Sequence, residues 1–284
     1  MTFISTKEKF VFYTFPVILF SLIPLFLITG PFLSDLSISL ISLLFLIYCI
    51  KKKSFSYFKN RYFYFFFAFW IYIVINSLIN NFNLDSLKIS FFFFRYGIFV
   101  VAIITLLNEN NKFIKYFFYC LLICFVSLIL DGFHEYFNKN TGNRVTSFFG
   151  DEEILGSYLS RLWPIFFGLS LIFFKNKNTL LFFISLIFIL SEVLIFLSGD
   201  RTAFFYINLS AIFIIIFSKN LFKLRIITLL SSIFIIVIIS LFNPSAKERV
   251  IDYTLDQMNL TGKNQQNKEI YIFSKEHTHH YITA

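Results

Sequence analysis

The sequence predicts an all-α, polytopic transmembrane helical bundle of about nine spans, and three observations carry that prediction. Of its 284 residues 57% are hydrophobic and only 14% are charged, against roughly 45–50% and about 25% in soluble domains. The apolar residues also fall into long runs parted by short polar knots, and about 20 such residues suffice to cross the hydrocarbon of a bilayer. Finally, the strict period-2 alternation of a membrane β-barrel is missing. Lipid offers no partner to backbone N–H and C=O groups, so apolar runs of this kind must close their hydrogen bonds internally, as helices.

Taken in order, the runs predict spans over 11–29, 33–50, 62–80, 89–107, 115–133, 156–174, 180–198, 203–218 and 226–243. The first follows Lys7 and Lys9, is too long for a signal h-region and lacks a small-x-small cleavage site, so it reads as a retained span. The third and fourth hold the densest of the 45 phenylalanines, Phe65 to Phe67 and Phe91 to Phe94. These read as bulk facing lipid or neighbouring helices. The seventh and eighth are parted only by Gly199 to Thr202. The chain then divides into a membrane-embedded domain, 1–243, with an external loop over 134–155, and an external polar segment, 244–284.

Orientation follows from the basic loops. Lys7, Lys9, Lys51, Lys52, Lys53, Lys59, Arg61, Lys112, Lys115, Lys175, Lys177, Lys219, Lys223 and Arg225 all fall on one side of that topology. The short loops of the other side hold Lys88, Lys139, Arg144 and Arg201. Basic short loops stay cytoplasmic, which places the N-terminus inside. The net charge of +9 is thus spent on orientation, and no nucleic-acid motif accompanies it. Cys49, Cys120 and Cys124 lie within apolar runs without a histidine nearby, and read as small packing residues; no metal, cofactor or disulfide framework is implied.

Four arginines sit on the expected external side: Arg144 in the loop, Arg201 in the turn Ser198-Gly199-Asp200-Arg201-Thr202, Arg161 within the sixth span and Arg95 within the fourth. An arginine at a helix centre costs at least ~2.5 kcal/mol on insertion scales. Snorkelling to the headgroups is one account of such residues; an anionic ligand at that depth is the other. Guanidinium stays charged and binds phosphate bidentately, so the four are candidate ligands for a lipid-linked diphosphate. The external base candidates are Asp151, Glu152, Asp200, Glu276, His277, His279 and His280. Asp151 and Glu152 also suit the positive end of the sixth span, and the histidines of a chain end are equally read as incidental. His134 and Glu135 read as interfacial polar residues. Glu192, the one acid deep in a span, reads either as a partner for Arg95 or Arg161 or as a neutral carboxyl bonded to a neighbouring helix.

Three segments resemble a known family. The stretch from Arg144 through Ser147-Phe-Phe-Gly-Asp-Glu-Glu to Arg161, the Ser198-Gly-Asp-Arg-Thr-Ala203 turn and the tail Ser274-Lys-Glu-His-Thr-His-His-Tyr-Ile-Thr-Ala284 resemble, in that order, motifs of bacterial O-antigen ligases and polymerases. The resemblance implies a multi-pass protein of the bacterial inner membrane, active in polysaccharide and lipopolysaccharide biosynthesis. Such a transferase moves a glycan from undecaprenyl diphosphate to an acceptor hydroxyl, on lipid A core or a growing polymer, at the periplasmic face. It implies diphosphate contacts from Arg144, Arg161, Arg201 and Arg95 and a base among His280, Asp151 and Glu152. It also implies further spans and a histidine-bearing segment beyond Ala284, so the chain is expected to be an N-terminal part. Two alternatives stand beside it: a transporter or flippase of a lipid-linked or anionic substrate, which few glycines and prolines and the lack of an internal repeat weaken, and an inactive truncated remnant.

Overall fold

A computed structural model describes residues 10–80, 84–109, 112–138, 144–174, 178–217 and 222–258. The long helices among them are α1 (Phe10–Thr29), α2 (Pro31–Lys51), α3 (Arg61–Asn80), α4 (Leu84–Glu109, interrupted by a turn at Phe93), α5 (Phe113–Asn138), α6 (Leu155–Phe174), α7 (Asn178–Ser198), α8 (Arg201–Phe217) and α9 (Phe222–Phe242). A short helical segment, α10 (244–257), follows. Seven of these helices, α1 to α6 and α9, are long and apolar enough to cross a bilayer, while α7 and α8 contribute shorter apolar stretches, Phe182–Ser198 and Arg201–Phe217. The chain is an all-helical membrane protein over its described residues. Helix α5 runs past the predicted span 115–133, the polar residues His134 and Glu135 continuing it to Asn138.

The serines within the spans show how hydroxyls are carried there. Ser37, Ser42 and Ser170 each donate to the carbonyl one turn earlier, at 2.8, 2.8 and 2.7 Å, so these three hydroxyl protons do not face hydrocarbon. Helix α3 buries none of its residues from Arg61 to Ile79, and Phe65 is 82% exposed. Its aromatic surface is the kind that faces lipid.

The chain divides into two compact units, with the boundary in sequence between Leu121 and Leu122 of α5. In the first, α2 and α4 close a core of Ile41, Phe45, Cys49, Ile98, Val101 and Ala102. Arg95 of α4 donates to Asp35 of α2 at 2.5 Å, and the Tyr96 hydroxyl reaches the same carboxylate oxygen at 3.3 Å. In the second, Phe125 stacks on Phe166 with ring centres 4.9 Å apart, and Trp163 meets Phe188 at 5.0 Å. This aromatic packing ties α5, α6 and α7 together and sets the ends of α6 and α8 against each other.

Candidate functional site

The polar end of the second unit is assembled from four pieces: the C-terminal turns of α5, the loop 144–154, the α7–α8 link and α10. The link is the shortest. Helix α7 stops because Gly199 takes φ +73°, a left-handed conformation natural to glycine, and its N–H turns back to Phe196 O at 3.1 Å. Asp200 then opens α8 as its N-cap, its carboxylate accepting from Ala203 N–H at 3.0 Å. Two residues thus reverse the chain between antiparallel helices, and Ser198-Gly-Asp-Arg is first of all a stop-and-start signal.

The Arg144–Arg161 stretch packs directly on that link. Gly156, in the first turn of α6, lies so close that a Cβ there would stand 2.9 Å from Asp200 Cβ and 3.1 Å from Ala203 Cβ. Ser157 Oγ donates to Asp200 Oδ2 at 3.1 Å. The two stretches singled out by sequence are therefore one structural feature, joined through Gly156, Ser157 and Asp200.

The loop before α6 is held by carboxylates of α5. Glu135 accepts the backbone N–H groups of Thr146 at 2.9 Å and Ser147 at 2.6 Å, and Asp131 accepts the Ser147 hydroxyl at 2.8 Å. Together these hold Ser147 at φ +52°, unusual for a residue with a side chain. Val145, Thr146 and Phe149 are buried, Phe149 against Tyr158 with ring centres 5.8 Å apart. Glu135, expected to be merely interfacial, is thus what positions the Arg144 loop.

The loop delivers Arg144 to Gly199, where it meets a second guanidinium. A Cβ at Gly199 would lie 3.2 Å from Arg249 Nε and 3.6 Å from Arg144 Nε. Arg249 belongs to α10, which starts on an N-cap: the Asn243 side chain accepts from Ala246 N–H at 3.1 Å, with Pro244 at the first helical position. Ala246 and Val250 are buried and anchor α10. Burial, and then the like charge of Arg144, pull the Arg249 guanidinium below its ordinary pKa, while Glu248 opposes them. Arg144 also pairs with Glu153.

The predicted site residues are distributed as follows. Arg144 and Arg201 lie at this end, Arg201 exposed and donating to Gln257 of α10 at 2.8 Å. Arg161 is exposed on α6, one turn along from Ser157 on the same face. Arg95 belongs to the first unit, where Asp35 answers its charge. Asp151 and Glu152 are exposed in the turn before α6, whereas the acid that meets an arginine is the adjacent Glu153. Asp200 is occupied as a cap. Residues 244–258, expected as an unanchored tail, are largely helical and carry Arg249 and Gln257 into the site. Glu276, His277, His279 and His280 lie outside the described residues. Among the described residues no three His, Cys, Asp or Glu converge as a metal site.

Arg249 is the residue that sequence reasoning missed. Its signal was the Asn243-Pro244 pair, a helix start in a segment taken for a polar tail. No family model matches the chain, nor does a curated protein or a solved structure.

Proposed function

We propose that the protein is an O-antigen ligase-like transferase of the bacterial inner membrane, with nine spans, a cytoplasmic N-terminus and its arginine-rich end in the periplasm. The observation that carries this reading is the approach of Arg144 and Arg249 to Gly199. Two guanidinium groups gathered on a bare backbone turn, one of them part-buried, form a cradle whose mutual repulsion a multiply charged anion would relieve. A diphosphate linked to a polyprenyl chain matches it: the charge sits at the helix ends and the chain runs among the apolar helices below. Arg201 and Arg161 extend the same positive surface.

The proposed reaction balances without a metal. An acceptor hydroxyl oxygen forms a bond to the anomeric carbon of the glycan, and the bond from that carbon to the phosphate oxygen breaks. Undecaprenyl diphosphate leaves with the electron pair, and the hydroxyl proton passes to a base. Arg144 and Arg249 stabilise the charge growing on the leaving oxygen. Asp151 or Glu152 takes the proton in this scheme, with Glu153 engaged by Arg144; His280 is the other proposed base.

The test is glycan transfer by the full-length protein in a ligase-deficient bacterium, read as polymer-bearing lipopolysaccharide. Arg249→Ala and Arg161→Ala are each expected to lower transfer more than about tenfold, ~1.4 kcal/mol of barrier, with membrane insertion intact. Lysine at either position should restore only part, lacking bidentate geometry. Normal transfer by both alanine variants would dismiss the arginine cradle. Movement of a lipid-linked glycan across proteoliposomes without a new glycosidic bond would mark a transporter instead.

A further inference from the structure

Glu192 is the one acid of α7 and is 0% exposed. The groups that face its carboxyl are Asn208 of α8 and Ser232 of α9, and neither carboxyl oxygen meets hydrogen-bond geometry. Ser232 spends its hydroxyl proton on Leu229 O at 2.9 Å, and Asn208 spends an amide proton on Phe204 O at 2.9 Å. Ser232 therefore turns lone pairs, not a donor, toward the acid. Among the described residues, no charged or titratable side chain bears on the carboxyl from the elements packed on α7. That holds for Asp131 of α5, Arg161 of α6, Arg201 of α8, Arg225 of α9 and Arg249 of α10.

One helical turn away lies a half-open cleft among α6, α7, α8 and α9, with Phe188, Ala211 and Thr228 in its lining. Those three residues stand one turn from Glu192, Asn208 and Ser232 on the same three helices, so cleft and carboxyl are successive layers of one face. Helical side chains lean toward the N-terminus of their helix, which for Glu192 is the direction of the cleft. The cleft has a volume of about 40 Å³, where one water needs roughly 10–15 Å³. About three waters fit, and Ser185, Thr228 and Arg225 line the space with polar groups to hold them. A turn rises about 5.4 Å, the length of roughly two hydrogen bonds. One water spans that step.

We propose that Glu192 is an exchangeable proton-binding site within the membrane, loaded and unloaded through water in this cleft. A carboxylate so placed has no cation to answer its charge, and a proton is the ligand that neutralises it without needing room between α8 and α9. A sealed carboxyl of purely structural use would carry a well-formed bond to Asn208 or Ser232. Acids inside membrane helices mark ion and proton paths. The step moves one proton from a hydrated proton in the cleft to a Glu192 oxygen and back, with no other bond changed. The inference is separate from the arginine cradle and does not rest on the transferase reading.

The test follows the infrared C=O band of protonated carboxyl in the full chain, held in nanodiscs at neutral pH. Water-exposed carboxylates are ionised there and do not contribute to that band. A band that shifts in D2O and is missing from Glu192→Gln belongs to Glu192. If Glu192→Gln does not accumulate, Glu192→Asp makes the same assignment by moving the band instead of removing it. In the parent chain the shift should keep pace with the change of buffer. Thr228→Leu and Ala211→Leu, which fill the cleft from different helices, should each slow it at least about tenfold. A Glu192 band that stays put through prolonged D2O would show a sealed structural carboxyl. Exchange unslowed by both fillings would show a route other than the cleft. Either result overturns the proposal, as does the lack of any band that depends on Glu192.

Discussion

Arg249 lies across Gly199, its Nε 3.2 Å from where a Cβ would be. A side chain at this turn therefore meets two separate obstacles, the φ of +73° and the guanidinium above it. Gly199→Ala is expected to cost about 1–2 kcal/mol from the left-handed backbone alone, and to push Arg249 off the turn. Gly199→Asn separates the two effects, because asparagine tolerates that backbone but still meets Arg249. Thermal unfolding in detergent should show Asn less damaging than Ala, while transfer activity is lost in both. Full activity in the asparagine variant would show that the approach of Arg249 to the turn is incidental.

The same pair predicts a ligand effect on stability. Burial and the charge of Arg144 both weigh against protonated Arg249, and a bound anion reverses the electrostatic part. Inorganic diphosphate should raise the unfolding temperature, approaching about 2.7 kcal/mol of stabilisation at a hundredfold excess over Kd. Arg249→Ala should remove the shift, whereas Arg95→Ala should leave it in place. A shift unchanged in Arg249→Ala would place the diphosphate elsewhere.

Orientation is tested by cysteine labelling. Phe148 is 57% exposed in the loop before α6, and Lys52 is exposed at the end of α2. Cys49 and Cys124 are buried, and Cys120 is only part-buried, so Cys120→Ser gives a quiet background. Phe148→Cys should react with an impermeant maleimide in intact spheroplasts, and Lys52→Cys only after the membrane is opened. The reverse pattern would invert the proposed topology and move the arginine cradle to the cytoplasm.

The helices were legible because each is written as an apolar run, and hydrophobic length does not depend on what the run packs against. The Gly199–Asp200 reversal was legible too, since its stop and start signals are local. Partners were not. Arg95 meets Asp35 sixty residues away, and nothing in either helix marks the other. Among Asp151, Glu152 and Glu153, three consecutive acids in a turn, only the backbone path decides which one reaches Arg144. Glu135 looked like an end-of-helix carboxylate because the backbone N–H groups it collects, those of Thr146 and Ser147, have no sequence signature at all.

Glu192 supplies the last prediction. It is 0% exposed on α7, within a run of α7 that is buried from Ser191 to Ser198. Asn208 of α8 and Ser232 of α9 face its carboxyl, yet neither oxygen meets hydrogen-bond geometry. Both neighbours spend a donor within their own helices, Asn208 on Phe204 O at 2.9 Å and Ser232 on Leu229 O at 2.9 Å. A buried polar group without a well-formed bond costs roughly 1–3 kcal/mol. Glu192→Leu, of similar bulk, should therefore raise the unfolding temperature in detergent, and Glu192→Gln should change it little. Glu192→Lys should fail to accumulate, since a longer cation would have to fit the same closed space. A residue kept at a cost to stability is a candidate for function, so the leucine variant is also expected to lose glycan transfer while being the more stable protein. Should Glu192→Leu unfold at a lower temperature than the parent, the carboxyl is bonded to Asn208 and Ser232 after all. Its place would then be structural, a polar clamp among α7, α8 and α9.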